Sequence, residues 1–152
     1  MSQRRYQRYG RIAAWYLGAL VLGGLAGCEP LWIAPEGRAQ VFIETLVTTK
    51  PVDVQKLHDL ARAAPEQNPE ELVDGLSARV AVDFLRAKQA QGVALDFTRS
   101  EVRQINTTRR MVTVRVTYQP SGAPVDSEVR FQVQFEKDNQ GLWRIARVTG
   151  DN

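Results

Sequence analysis

Three residues carry side chains that could do chemistry in this 152-residue chain. Cys28 is the only cysteine and His58 the only histidine, while Asp83 interrupts an apolar stretch. A thiolate is a nucleophile and a metal ligand, and an imidazole can exchange a proton near neutral pH. A carboxylate held in an apolar pocket can act as a general base because burial raises its pKa.

His58 and Asp83 are candidates for a pocket, and each also has a plainer explanation. His58 lies in a predicted helix, where Val54 is its neighbour one turn earlier and is not an acid. Asp59, the next residue in sequence, points about 100° away around that helix. No carboxylate is therefore placed to orient the His58 ring. Asp83 either points into a pocket or lies on the polar side of its helix near Arg79. We therefore keep His58 and Asp83 as pocket candidates and expect no catalytic set, without excluding an enzyme.

Metal and cofactor chemistry find no support in the sequence. One histidine and one cysteine cannot supply the clustered ligands of a zinc site, and the glycines lie in the N-terminal segment or at predicted turns. A glycine-rich phosphate loop is not present. We expect no metal and no cofactor.

The segment before Cys28 has the layout of an export signal. Residues 1–11 contain Arg4, Arg5, Arg8 and Arg11 and no acid, and residues 12–27 carry no charge. A basic start followed by a short apolar run is typical of a secretory signal peptide. A membrane-spanning helix needs about 20 apolar residues, so this run is better suited to removal than to a permanent span.

The apolar run ends in Leu25-Ala26-Gly27-Cys28, which resembles the lipobox of bacterial lipoproteins at all four positions. The resemblance implies a signal peptide over residues 1–27, cleavage between Gly27 and Cys28, and acyl chains such as palmitate on Cys28. It also implies a membrane partner through that lipid. Two or more acyl chains anchor a protein stably. The alternative is an uncleaved anchor helix with an inert, buried Cys28.

The residue after the lipidated cysteine bears on location. In many Gram-negative bacteria an aspartate there retains a lipoprotein at the inner membrane, and this chain has Glu29. The resemblance therefore favours the periplasmic face of the outer membrane. Residues 28–35 form a short tether, in which Trp32 and Ile33 belong either to the membrane surface or to the core of the domain.

Removal of the signal changes the electrostatic interpretation. The whole chain has 20 basic and 17 acidic residues, but four of the arginines lie in residues 1–11. The remaining chain has 16 basic and 17 acidic residues. A nucleic-acid partner is not expected, because the basic excess belongs to the signal.

Residues 36–152 are predicted to form a single α+β domain. Apolar spacing predicts helices over residues 36–49 and 53–63. A third helix is predicted to begin with Asn68 as cap and Pro69 at its first position, and to end at Gly92. Its buried stripe is expected to comprise Leu72, Val73, Leu76, Val80, Phe84 and Ala87.

From Val93 onward the apolar period becomes two, which predicts strands. The phase slips after Phe97, so a bulge is expected at residues 99–101. Further strands are predicted over residues 111–119, 125–137 and 142–148, with a hairpin loop at 138–141. About three helices should therefore pack on one face of a four-stranded antiparallel meander.

The tail from Phe131 to Asn152, with its Gly-Leu-Trp-Arg-Ile ending, resembles the last strand pair of NTF2-like (cystatin-like) domains. The resemblance implies a sheet curled into a cone, which in some members holds a ligand or a catalytic Asp or His. The chain departs from that family between Ala39 and Gln91, where no early strand is evident.

Two functions remain open at this point. The favoured one is a non-enzymatic lipoprotein that binds an envelope protein, and the alternative is a small-ligand binder or enzyme with a cone-shaped pocket. An interior filled by Phe42, Phe84, Phe131 and Trp143 would exclude the alternative. A cavity lined by Asp83 or His58 would support it.

Overall fold

A computed structural model describes residues 34–48, 50–122 and 126–151, all within one compact unit, Leu31–Asn152. The helices precede the strands, as the sequence predicts. The elements are α1 (Pro35–Thr48), α2 (Val54–Ala61), a short 3-10 helix (Pro69–Leu72), α3 (Leu76–Ala90), β1 (Leu95–Gln104), β2 (Arg109–Tyr118), β3 (Ser127–Lys137) and β4 (Trp143–Asp151). The α+β class with a four-stranded antiparallel sheet is confirmed.

The four strands form a single sheet in the order β1-β2-β3-β4, in which each strand pairs with its neighbour in sequence. Alternate residues point to one face of a strand, and Val114 of β2 lies opposite Phe131 of β3 on the buried face. The register of β1 shifts between Arg99 and Glu101, so the expected bulge is confirmed.

The helices cover the apolar face of the sheet. Phe42 and Ile43 of α1, Leu57 of α2 and Leu85 of α3 have no exposed surface. Burying a side chain of this size contributes roughly 1.5–3 kcal/mol relative to leaving it in water. The helix–sheet interface is therefore the main source of stability.

The prediction of one continuous third helix is wrong. Asn68 caps as expected, since its Oδ1 accepts from the Glu70 N–H at 3.1 Å, but the helix that it begins is a four-residue 3-10 turn. The chain then becomes extended: Val73 forms an isolated parallel bridge with Val148, and the Asp74 N–H donates to the Val148 carbonyl at 2.8 Å. These bonds to β4 interrupt the helix.

The break also changes which side of the helix is buried. Gly75 has a φ of 87°, a region that glycine enters without strain, and α3 starts after it in a new phase. Ala78, Val82 and Leu85 are buried. Leu76, Val80 and Phe84, which the sequence places in the core, are exposed.

Within residues 50–90, where the sequence offered no strand candidate, the extended pairing is a single bridge between Val73 and Val148. Side chains connect the helices to each other and to the sheet. The Arg86 guanidinium donates from Nε and Nη2 to the Leu46 carbonyl at 2.9 and 2.8 Å, and the Gln40 amide donates to the Phe97 carbonyl at 2.9 Å.

None of the helices in the described ranges combines the length and the apolar character that a membrane span requires. Cys28, Gly27, Glu29, Trp32 and Ile33 lie outside the described residues. The predicted signal, its cleavage and the tether therefore stay predictions.

Candidate functional site

The space between helices and sheet is occupied by side chains. Phe42, Phe131 and Phe135 are completely buried there, and Trp143 packs against them while partly exposed. Arg38 lies in the same region, where its Nη2 donates to the Trp143 carbonyl at 2.7 Å and its guanidinium carbon is 5.4 Å from the centre of the Phe135 ring. Of the four aromatic residues expected in the interior, Phe42 and Phe131 are completely buried and Trp143 is partly buried, whereas Phe84 lies on the surface.

The two pocket candidates do not meet in a common cavity. The half-buried His58 ring lies at the end of α2, with Nε2 2.9 Å from the Ala64 carbonyl, a geometry in which that nitrogen donates. Asp83 is exposed on α3, and its Oδ1 is 3.9 Å from Arg86 Nη1. His58 thus bonds the segment that follows α2, and the neighbour of Asp83 on α3 is Arg86 rather than the expected Arg79.

A pocket of about 160 Å³ lies between the segment that follows α2 and the hairpin of β3 and β4. Pockets for drug-sized ligands have volumes of about 300–1,000 Å³, so this one is small. Its lining consists of Arg62, Ala63, Gln67, Glu136, Arg144, Ile145 and Ala146. Neither His58 nor Asp83 contributes to it, and Glu136 is paired with Arg109 at 3.1 Å.

Carboxylates, His and Cys of the described residues do not assemble into a group of three that could hold a metal ion. Asp138 is the acidic residue with the most distinct setting. Its Oδ1 accepts from the backbone N–H groups of Leu142 and Gln140 at 2.9 and 2.8 Å. The Leu142 bond lowers the pKa of Asp138 most, with help from the Gln140 bond and from the positive charges of Arg144 and Arg62, while burial opposes them.

The largest departure from the sequence-based expectation is an exposed apolar surface on α3. Leu76, Val80 and Phe84 are 80%, 56% and 39% exposed, and together we call them the α3 face. They are spaced by four residues, so they form one ridge along the helix. The sequence identified these three residues as one apolar stripe and assigned that stripe to the core.

Phe84 is held in place at one end of this ridge. Its ring contacts Tyr118 edge-on, with centroids 5.6 Å apart and an angle of 65° between the planes. The Lys88 ammonium lies 5.4 Å from the same ring. An aromatic side chain fixed between a ring and a cation presents a preformed contact surface.

A second distinct surface is formed by the two hairpin loops at one end of the sheet. We call residues 103–110 and 136–144 the hairpin end. The two segments adjoin each other, because the Lys137 N–H donates to the Thr108 carbonyl at 2.9 Å. Ile105 and Leu142, one in each loop, are nearly half exposed.

The hairpin end is basic. It contains five basic residues (Arg103, Arg109, Arg110, Lys137 and Arg144) and two acidic ones (Glu136 and Asp138). Trp143 stacks with two of the cations, at 4.9 Å from the Arg110 guanidinium and 5.0 Å from the Lys137 ammonium. The elements that adjoin the hairpin end contribute Glu36, Arg62 and Glu66, and the net charge of the whole region stays positive.

Helix α1 begins at the hairpin end. Glu36 in its first turn pairs with Arg110 at 2.7 Å, and Arg38 donates to the carbonyl of Trp143. The α3 face lies at the other end of the sheet, where Tyr118 pairs with Leu95 and where Gly150 approaches Ser77 and Ala78. Strands of about ten residues separate the two surfaces by about 30 Å.

Comparisons with known proteins give structural likenesses only. No family model matches the chain, and no curated protein matches it. An NTF2-like protein of unknown function from Shewanella oneidensis MR-1 is 14% identical, over 78% of this chain and 99% of the other, with a TM-score of 0.37. A ketosteroid isomerase-like protein from Erwinia carotovora atroseptica SCRI1043 is 13% identical, over 80% and 97%, with a TM-score of 0.37.

A third similar structure, a substituted form of the protein Rd1NTF2_05, is 23% identical over 74% of this chain and 96% of its own, with a TM-score of 0.40. The solved structures that the chain resembles thus include NTF2-like proteins. At these identities and scores no residue role is transferred to this chain, and its fold class rests on its own elements and strand order.

Proposed function

We propose that this protein is a lipid-anchored protein of a bacterial cell envelope, attached through Cys28, and that its domain binds a separate envelope protein through the α3 face. The role is one of binding rather than catalysis. The single observation that carries it is the exposure of Leu76, Val80 and Phe84 on a helix whose opposite side is fully packed.

The chemistry of the α3 face indicates the kind of partner. An apolar ridge with anchors at i, i+4 and i+8 is the form in which helices enter apolar grooves on other proteins. Aromatic anchors dominate the energy of such contacts, and Phe84 is the aromatic residue of this ridge. The charges of Arg79, Asp83 and Lys88 on the same helix would form the polar rim. We therefore propose a partner with an apolar groove long enough for three turns of helix.

The packed interior supports binding over the alternative of a ligand-holding cone. Phe42, Phe131 and Phe135 are completely buried in the core. Asp83 lies near Arg86 of its own helix, and the His58 ring bonds the Ala64 carbonyl in the segment after α2. Binding at the surface needs neither residue.

Lipid attachment is tested by the mass and the N-terminus of the purified protein. We expect a chain that begins at Cys28 and carries the mass of a diacylglycerol group and a third acyl chain. Cys28→Ser should remove the acyl mass and leave the segment before residue 28 uncleaved. Wild-type protein of full length without acyl mass would refute the anchor.

The partner is tested by photo-crosslinking in cells that express the full chain. A photoreactive amino acid at Leu76 or Val80 should give the same adduct, and this adduct should disappear when Phe84→Glu is added. Glu44→Gln, at an exposed position of α1, should leave it intact. Position 56, where Lys56 is exposed on α2, serves as the control site.

Three results would contradict this proposal. One is the lack of an adduct at both α3 positions, and another is an equal adduct at position 56. The third is an adduct made of two copies of this chain, which would replace the separate partner by self-association. An adduct that passes these tests identifies the partner protein. The partner is then purified, and its affinity for the wild-type domain and for the Phe84→Glu variant is measured by titration.

A further inference from the structure

The place at which the chain enters the domain fixes which surface lies nearest to the lipid. Helix α1 begins at Pro35, and its first turn is bound to the hairpin end through Glu36 and Arg110. Six residues, 29–34, separate the proposed lipid site Cys28 from this helix. Even fully extended, they reach about 25 Å.

That reach is shorter than the sheet. The far end, with the α3 face, is about 30 Å from the hairpin end along the strands. If the lipid on Cys28 is in a membrane, the hairpin end is therefore the part of the domain that the tether brings to the membrane surface. The composition of this end can be compared with what such a surface requires.

The hairpin end has the chemistry of a membrane-binding surface. Its five basic and two acidic residues stand against a chain that is slightly acidic once residues 1–27 are set aside. Basic side chains near an anionic lipid surface are attracted to it within about a Debye length. The exposed Ile105 and Leu142 lie in the two hairpin loops at this end of the sheet.

Two of the cations have exposed side chains at the edges of the sheet. Arg103 and Arg144 are exposed on β1 and β4, on the two outer strands of the sheet. Lys137 and Arg110 are held against the Trp143 ring, so the cationic surface is partly preformed. Preformed contacts lose less conformational entropy on binding than mobile ones.

We propose that the hairpin end is a docking surface for anionic phospholipid headgroups, with Ile105 and Leu142 inserted at the interface and Arg103 and Arg144 flanking them. This inference rests on the proposed lipid anchor. Docking orients the domain, so that the α3 face points away from the bilayer and toward a partner. The lipid and the tether alone would keep the hairpin end near the membrane without fixing the angle of the domain.

The test uses the lipidated full chain reconstituted in vesicles, with an environment-sensitive fluorophore on a single introduced thiol. Cys28 is acylated, so Ile105→Cys, Leu142→Cys and the control Gln91→Cys each provide the only free thiol. Gln91 is exposed at the end of α3, on the far side of the domain. Vesicles contain phosphatidylcholine alone or with phosphatidylglycerol, and nitroxide-labelled lipids act as quenchers.

In vesicles with phosphatidylglycerol we expect blue-shifted emission and quenching at positions 105 and 142 but not at 91. Arg103→Glu combined with Arg144→Glu should reduce the ratio of docked to undocked protein by about tenfold or more. The matched pair Arg99→Glu and Lys56→Glu, which changes the same charge elsewhere on the domain, should leave that ratio unchanged. Raising the salt to 0.5 M should release the probes without any substitution.

Equal quenching at position 91, or equal quenching with and without phosphatidylglycerol, would overturn the docking surface. The anchor is scored separately by flotation of the protein with the vesicles. Protein that floats but shows no quenching at 105 and 142 refutes docking alone. Protein that does not float refutes the anchor on which the proposal rests.

Discussion

The carboxylate of Asp138 organises the loop between β3 and β4. Its Oδ1 accepts two backbone N–H groups, and the Asp138 N–H donates to the Leu142 carbonyl at 2.9 Å. Gly141 completes the loop with a φ of 77°. Hydrogen bonds to the ionised carboxylate lower its pKa below the ordinary value of 3.8.

A lowered pKa makes the stability of the fold depend on pH in a defined direction. The ionised form of Asp138 stabilises the native state at pH values above the unfolded pKa of about 3.9. This contribution is lost as the pH falls through the lower pKa of the folded state. Asp138→Asn keeps an oxygen acceptor but removes the charge, so it should be less stable than wild type at pH 7, and the difference should narrow as the pH falls below the unfolded pKa.

Urea unfolding between pH 7 and pH 2 measures this difference. Asp96→Asn, which removes an exposed carboxylate from β1, controls for the loss of one negative charge. A stability difference between wild type and Asp138→Asn that stays constant down to pH 2 would contradict the role of the ionised carboxylate.

At the scale of the element, the burial of its two valines shows which side of α3 faces the core. Val82 is buried and Val80 is more than half exposed, two residues apart on the same helix. Val82→Ala removes two buried methyl groups and should lower the free energy of unfolding by about 1.5–2 kcal/mol. Val80→Ala should change it by less than about 0.5 kcal/mol, since alanine also favours helix.

Thermal or urea unfolding of the two variants decides between the predicted and the observed phase of the helix. If the side of α3 expected from the sequence were buried, Val80→Ala would lower the free energy of unfolding more than Val82→Ala. Equal losses in the two variants would mean that neither valine lies on a distinct side of α3.

Two side chains of α3 bond the C-terminal end of α1: Gln89 donates to the Thr48 carbonyl at 3.3 Å, and Arg86 makes the shorter bonds. Carbonyls in the last turn of a helix lack partners within that helix, and Arg86 supplies two donors to the Leu46 carbonyl and a bond to Glu70 at 3.1 Å. Arg86→Lys cannot reproduce the paired donors and should reduce the free energy of unfolding by about 1–2 kcal/mol. Arg103→Lys, at an exposed position of β1, should have no measurable effect; an equal effect of both would contradict the proposed contact.

The strands could be predicted from sequence because their signal is local. Val112, Val114 and Val116 alternate with polar residues, and this pattern alone identifies the buried face of β2. The slip in phase after Phe97 likewise located the bulge. Short loops then left few ways to order four successive strands.

The interruption of the third helix had no comparable local signal. Asn68 and Pro69 correctly mark a helix start, but Val73 and Asp74 leave the helix because they bond to Val148, more than 70 residues away. Such a partner cannot be identified from helical spacing. The α3 face was therefore missed as a surface, although the Asp74-Gly75 pair, a common turn signal, was an available warning.

At the scale of the whole molecule, one residue after the proposed lipid site should decide the destination. Glu29→Asp introduces the residue that, by the lipoprotein resemblance, retains a protein at the inner membrane. We expect the variant to move from the outer-membrane to the inner-membrane fraction in a sucrose gradient. Glu29→Gln controls for any change at this position, and an unchanged distribution of Glu29→Asp would contradict outer-membrane sorting.

A protein confined to a membrane meets its own copies at high local density, and the bulge in β1 bears on what happens then. The outer strands of a sheet carry backbone groups that can pair with another chain and start aggregation. In β4 such groups are engaged by Val73 and Asp74, and in the first half of β1 the Phe97 carbonyl is engaged by Gln40. Beyond the bulge, β1 continues with Glu101 and Arg103. The register shift and these charges interrupt the straight edge that fibril growth would need. Crowding at a membrane should therefore not lead to edge-to-edge pairing of this sheet with other copies of the chain.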